Sequence, residues 1–358
     1  MSRTTAVAII VCLMAVAACS PDAAAGAPST AGVTVAPSPS AAPSPVAAAA
    51  SVKPALPVIA DADPRILYTT HRPDADVGVY LMRLDGTDAV QLATDVHGSL
   101  KHPDWSPDGQ HVVFIDETTE KMWAANLDGT PSGSIPACDV PGCDFPAWSP
   151  DGSKLAFSRA ESDPGGIGPS AVGIYVLDLA SGDVSTVVRL ERPLLADVPR
   201  WSPDGTRIVF GVDRMDDAAN ETGSAIAVIA ATGGELRYLT DFAQFAYYPD
   251  WNRVTDEIVF STEGLFFTSE PDSGGTWNLY AIRPDGNGLR QITDVPAGQR
   301  LWNPTWTPDG TRITAGFEDT RLGVFVDSKS GVIEPFPYVP SALKFTDRLG
   351  RPRVRPTP

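Results

Sequence analysis

A six-fold repetition of one short pattern constrains this chain more than any other feature. A proline and, two residues on, a tryptophan-like residue precede a hydrophobic pair seven and nine residues later. The register runs Pro57, Ile59, Ile66, Tyr68, then Pro103, Trp105, Val112, Phe114, then Pro146, Trp148, Leu155, Phe157. It continues with Pro199, Trp201, Ile208, Phe210, then Pro249, Trp251, Ile258, Phe260, then Pro304, Trp306, Ile313, Ala315. Successive second positions lie 43 to 55 residues apart. A period of this size, with strand signals inside each unit, marks a repeat array.

Each unit carries the same internal order. Trp105-Ser106-Pro107-Asp108-Gly109 has the residues of a type I turn: proline presets φ and serine bonds the local backbone. Ser149 to Gly152, Ser202 to Gly205 and Thr307 to Gly310 repeat that chemistry. A tight hairpin therefore returns the chain into the hydrophobic pair. A third strand ends in a glycine turn, as Met122 to Leu127 does before Asp128-Gly129, and a short fourth strand closes the unit. Four antiparallel strands per unit, six units and no helical period predict an all-β, six-bladed β-propeller. Each tryptophan is expected to fill the space between neighbouring blades.

The units Trp105 to Phe114, Trp148 to Phe157, Trp201 to Phe210 and Trp306 to Ile313 resemble the WD40-like repeats of the TolB-like propeller family. The resemblance covers roughly residues 56–340. Two units depart from it. Trp251 to Asp256 lacks the Pro-Asp-Gly turn, and the first unit has Ile59 for tryptophan and Asp61-Ala62-Asp63 in the turn. The N-terminal α/β domain of TolB is not expected, because a low-complexity stretch occupies its place. The resemblance implies a non-catalytic binding role.

Residues 1–18 read as a signal peptide, with Arg3 ahead of the short apolar run Ala6 to Ala18. Val16-Ala17-Ala18-Cys19 resembles the bacterial lipobox, which implies an acylated Cys19 and a membrane anchor. Plain secretion is the alternative. Residues 19–55 are rich in Ala, Pro and Ser and read as a disordered tether with a reach of roughly 30 Å. Cys138 and Cys143 are expected to form a local disulfide in an oxidising compartment, a metal pair being the minor alternative. Residues 341–358 form a basic tail that either meets an acidic partner or rests on the acidic propeller.

A formal charge of −17 disfavours nucleic acid as a partner. No Gly-x-Ser-x-Gly elbow or phosphate-binding glycine pattern occurs. Of His71, His97, His102 and His111, only His102 immediately precedes the proline of its unit, so a three-histidine metal site is not expected. No cofactor is expected. The residues leading into the innermost strands share one face with the loops between second and third strands. Glu161 to Ala171, Asp213 to Gly223 and Glu263 to Thr276 enlarge that loop in three consecutive units. The candidate binding face is therefore His102, Phe145, Tyr247, Tyr248, Phe266, Phe267, Trp277, Trp302 and Asn303. Aromatics ringed by polar residues suit an interface, although blade packing would also use them. The leading reading is an exported, lipid-anchored, monomeric platform in the cell membrane or outer membrane that binds an envelope protein. Cell-wall glycan binding is the second reading, and a metal-dependent enzyme centred on His102 the third.

Overall fold

The computed structural model describes residues 64–71, 77–128, 130, 132–138, 142–162, 168–263, 275–318, 323–336 and 352–356. They form six four-stranded antiparallel sheets arranged as a β-propeller. From inner to outer strand, blade 2 is Leu100–Trp105, His111–Asp116, Lys121–Asn126 and Gly133–Ser134. Blade 3 is Cys143–Trp148, Lys154–Glu161, Ala171–Asp178 and Val184–Glu191. Blade 4 is Leu194–Trp201, Arg207–Met215, Glu221–Ala230 and Arg237–Tyr238. Blade 5 is Ala246–Trp251, Ile258–Thr262, Asn278–Ile282 and Arg290–Gln291. Blade 6 is Leu301–Trp306, Arg312–Phe317, Gly323–Asp327 and Ile333–Pro335.

The inner hairpins close as the turn residues dictate. Gly109, Gly152, Gly205 and Gly310 each donate a backbone bond to the residue three before, at 2.8–3.0 Å. The serine or threonine hydroxyl at that position bonds the turn aspartate at 2.5–2.6 Å in all four. Blade 5 solves the same turn differently. Asn252 Oδ1 accepts from the backbone N–H groups of Val254 and Thr255, and Asp256 takes the positive φ of 58° that glycine takes elsewhere.

Blade 1 takes its innermost strand from the far end of the chain. Arg353–Val354 pairs with Arg65–His71, followed outward by Val77–Arg83 and Val90–Gln91. Ile66 faces Val354 as Val112 faces Trp105, so Pro352-Arg353-Val354 is in register with Pro103-Asp104-Trp105. The segment read from sequence as a tail thus carries the repeat's own Pro-x-hydrophobic signature. Pro57 and Ile59, expected in that place, lie outside the described residues, as does Cys19.

The core is six wedges between blades. In one, Trp105 packs with Phe114 of blade 2 against Leu67, Val79 and Leu81 of blade 1. Trp201 packs with Ile208 and Phe210 against Ile174 and Val176 of blade 3. Trp251 and Trp306 repeat the arrangement against blades 4 and 5. Val354 plays this part at the closing seam, beside Phe325 and Phe336 of blade 6. Trp148 is half-buried, while the other four tryptophans of the repeat are buried. The aromatic of the second strand is the deepest position: Tyr68, Phe114, Phe157, Phe210 and Phe260 are fully buried.

Candidate functional site at the channel mouth

In blades 2 to 6 the residue before the inner-strand proline holds a left-handed backbone. His102, Phe145, Val198, Tyr248 and Asn303 have φ of 49° to 53°, apart from 55° at Tyr248. Each sits where the ladder to the second strand shifts register. Proline disfavours a helical φ/ψ before it, and the bulge absorbs one extra residue. A non-glycine residue in this region is strained, and strain repeated in five blades concentrates at sites that need a re-aimed side chain. These bulges mark the end of the channel opposite the serine–proline hairpins.

On the side of blades 2 and 3, the mouth is polar. His102 Nδ1 lies 2.6 Å from Asp144 Oδ1, and Lys101 Nζ lies 3.0 Å from Asp144 Oδ2. The His102 ring stacks on Phe145 with centroids 3.8 Å apart. Burial pushes the Asp144 carboxyl up, but His102 and Lys101 outweigh it and hold the group well below the usual carboxylate range. His111 lies at the hairpin end of its strand, bonded to Asn126 at 2.7 Å, and takes no part in the mouth.

Across blades 5 and 6 the mouth is aromatic. Trp277 and Trp302 stack face to face, with centroids 4.4 Å apart and planes 17° from parallel. Tyr247 lies 5.1 Å from Trp277 and 6.0 Å from Trp302, and Tyr248 meets Trp302 edge-on at 5.4 Å. Trp277 is buried beneath this group, whereas Tyr247, Tyr248 and Trp302 are half-buried. Trp277 therefore serves packing, while the other three rings keep part of their surface open. Phe266 and Phe267 lie outside the described residues.

Acidic groups frame these rings. Trp302 Nε1 donates to Glu318 at 3.0 Å, and Arg300 pairs with the same carboxylate at 3.0 Å. The Tyr247 hydroxyl donates to Glu221. Asp213 accepts from Ser224 Oγ at 2.7 Å. Among the described residues neither Asp213 nor Glu221 has a basic partner. Burial pushes the Asp213 carboxyl up to about 6 against the Ser224 bond. Burial, and then the Asp213 charge, push Glu221 up to about 7, with the Tyr247 bond opposing. Burial and Glu221 in turn raise the Tyr247 hydroxyl.

The loop expected at Asp213–Gly223 is mostly strand. Asp213 pairs with Ser224 and Arg214 with Gly223, which leaves a turn over 216–220. The alternation of apolar and polar residues is weak there, so sequence did not show the ladder continuing. In the loop expected at Glu161–Ala171, those two residues pair with one another, and 163–167 lie outside the described residues. For Glu263–Thr276, residues 264–274 do as well.

Charge closes the floor of the channel. The central residues of five of the six Pro-x-Trp-like triplets, Asp104, Ala147, Arg200, Asp250 and Arg353, border a cavity of about 60 Å³ there. Arg353 spans Asp104 at 2.8 Å and Asp250 at 3.3 Å, and Arg200 lies 3.5 Å from Asp250. Asp104 and Asp250 also accept from the backbone N–H of Trp148 and Trp306 in the next blade, at 3.0 and 2.8 Å. Cys138 and Cys143 are joined in a disulfide with Cα atoms 5.9 Å apart, against the seam of blades 2 and 3. Among the described residues no three His, Cys, Asp or Glu converge to hold a metal, and no helix is long and apolar enough to cross a membrane.

No protein-family profile matches the chain. An uncharacterized protein of Agrobacterium fabrum is 30% identical over 211 residues, 57% of this chain and 65% of that protein. An uncharacterized peptidase of Bacillus subtilis is 26% identical over 116 residues, 32% of this chain and 16% of that protein. The chain thus spans less than two thirds of either relative. The crystal structure of TolB from Acinetobacter baumannii superposes with a TM-score of 0.60 at 16% identity, over 83% of this chain and 68% of that one. The fold is a TolB-like propeller. A chain of the nidogen/laminin complex gives a TM-score of 0.61 at 11% identity, over 82% and 98%. An oligogalacturonate lyase in complex with manganese gives 0.53 at 17%, over 75% and 73%. At these identities the likenesses concern the fold alone.

Proposed function

We propose that this protein is a lipid-anchored, monomeric propeller of the cell envelope that holds another envelope protein at its channel mouth without catalysing a reaction. The observation that carries this reading is the group Tyr247, Tyr248 and Trp302, half-buried over Trp277 and framed by Glu221 and Glu318. Rigid aromatics with polar edges are what protein interfaces concentrate. Asp213 and Glu221 have no basic partner among the described residues, so the partner is expected to bring basic side chains. Nucleic acid is not expected as a partner. The apolar run Ala6 to Ala18 and the lipobox-like Val16-Ala17-Ala18-Cys19 support the envelope setting.

The Trp277–Trp302 stack bears on the glycan reading. Each ring gives one face to the other, so these two rings leave no open row of parallel faces for sugars. The His102–Asp144 pair is the arrangement an enzyme reading would use. The test is capture from envelope extract on the full-length protein, beside Trp302→Ala and Tyr248→Ala variants. A partner retained by wild type and lost from both variants, with association slowed by salt, is the expected result. Undiminished capture by both variants, or saturable binding of purified cell-wall fragments instead, would reject the protein-binding reading.

A further inference from the structure

The hairpin face carries a feature that the mouth does not explain. Arg207 opens the second strand of blade 4, Arg237 lies in its outer strand, and Arg283 follows the third strand of blade 5. With Thr255, Asp256, Pro284 and Asp285 they line an open cleft of about 460 Å³. In a chain of formal charge −17, three arginines converging on one cleft run against the overall field.

The two acids in the wall offset the three arginines only in part. Asp285 accepts from the backbone N–H of Asn287 at 2.9 Å and from its side-chain amide at 3.1 Å; these bonds first, and then the charges of Arg283 and Arg237, hold its carboxyl below the usual range. Arg237 donates to the backbone carbonyl of Asp285, not to its carboxylate. Asp256 accepts from Trp251 Nε1 at 2.7 Å and stands 3.8 Å from Arg207. The Arg283 guanidinium is in no ion pair or hydrogen bond among the described residues. The arginines are also positioned. Arg207 lies over the Trp251 ring at 4.9 Å, and Arg237 is held by its bond to the Asp285 carbonyl. Such arrangement reduces the side-chain ordering needed to bind.

We infer that this cleft is an oxyanion site that takes a carboxylate or phosphate group. A guanidinium fork matches two oxygens of either group. The cleft is wider than one such group, so the ligand is expected to carry it on a larger body. It lies at the end of the propeller opposite the mouth and does not depend on the function proposed there.

The test titrates the full-length protein with inorganic phosphate and with citrate, at ionic strength matched by chloride, and reads heat of binding. Saturable binding of at least one probe is expected. Arg283→Gln and Arg237→Gln should each weaken it about tenfold or more, the loss of one charge-assisted contact. Arg283→Lys keeps the charge without the fork and should recover only part of the affinity. Unchanged melting temperatures show that the variants are folded. Which probe binds distinguishes phosphate from carboxylate. No saturable binding of either probe in the millimolar range, or equal affinity in Arg283→Gln, overturns the inference.

Discussion

Glu221 shows how one carboxyl can report on the mouth. Its folded value, near 7, lies above its ordinary 4.5. Between those values the folded protein binds more protons than the unfolded chain, so stability falls as pH rises. The contribution is fully present below the ordinary value and is lost on passing the folded one. Glutamine at this position is never charged. Glu221→Gln should therefore match wild type near pH 5 and melt higher above about pH 7, by a few degrees. A melting difference that stays constant from acid to neutral pH would show that Glu221 is solvated. Trp201 reports on packing instead. It is buried between blades 3 and 4 and its indole N–H donates to the Ala147 carbonyl at 3.1 Å. Trp201→Ala should cost about 3–5 kcal/mol in global unfolding. An unchanged denaturation midpoint would contradict the wedge role.

The element with most leverage is the closing strand. It adds only Arg353–Val354 to blade 1, yet several contacts depend on it. Arg353 pairs with Asp104 and Asp250, the Pro352 carbonyl accepts from Thr305 Oγ1 at 2.6 Å, and the fully buried Arg355 donates to the Gly109 carbonyl at 2.9 Å. Removing one member of a buried ion network leaves its partners uncompensated, typically at about 3–5 kcal/mol. Deleting residues 352–358 should lower the melting temperature by roughly 10 °C or more. Arg353→Gln, which keeps the strand, should reproduce part of that fall. If truncation and wild type melt together, the ring closes without this strand.

Taken as a whole, the propeller presents two chemically different ends. The mouth offers aromatics and, at Asp213 and Glu221, acid without a basic partner among the described residues, and the hairpin end offers three arginines around one cleft. Between them the channel floor is closed by balanced charge, two arginines against two aspartates. Ligands at the two ends would then bind independently. Attachment to a membrane is proposed through Cys19 alone, because the net charge disfavours direct adsorption to anionic lipid. Cys19→Ala should release the protein into the soluble fraction with its melting temperature unchanged. Retention of that variant in the membrane pellet would place the anchor elsewhere.

The repeat spacing alone determined the architecture: a fixed period, one turn signature and a buried aromatic per unit admit few closed forms. Local chemistry carried that signal, because Ser-Pro-Asp-Gly sets its own turn whatever surrounds it. His102, Phe145, Tyr248 and Asn303 were legible as a set because each precedes a repeat proline. The rest required tertiary structure. Pro352-Arg353-Val354 bears the repeat pattern, but only ring closure pairs it with residues nearly three hundred positions earlier in the chain. The Glu221–Tyr247 bond and the arginine cleft each join neighbouring blades. Periodicity places residues along a strand and around a ring, but which side chains meet across a seam depends on blade twist and packing.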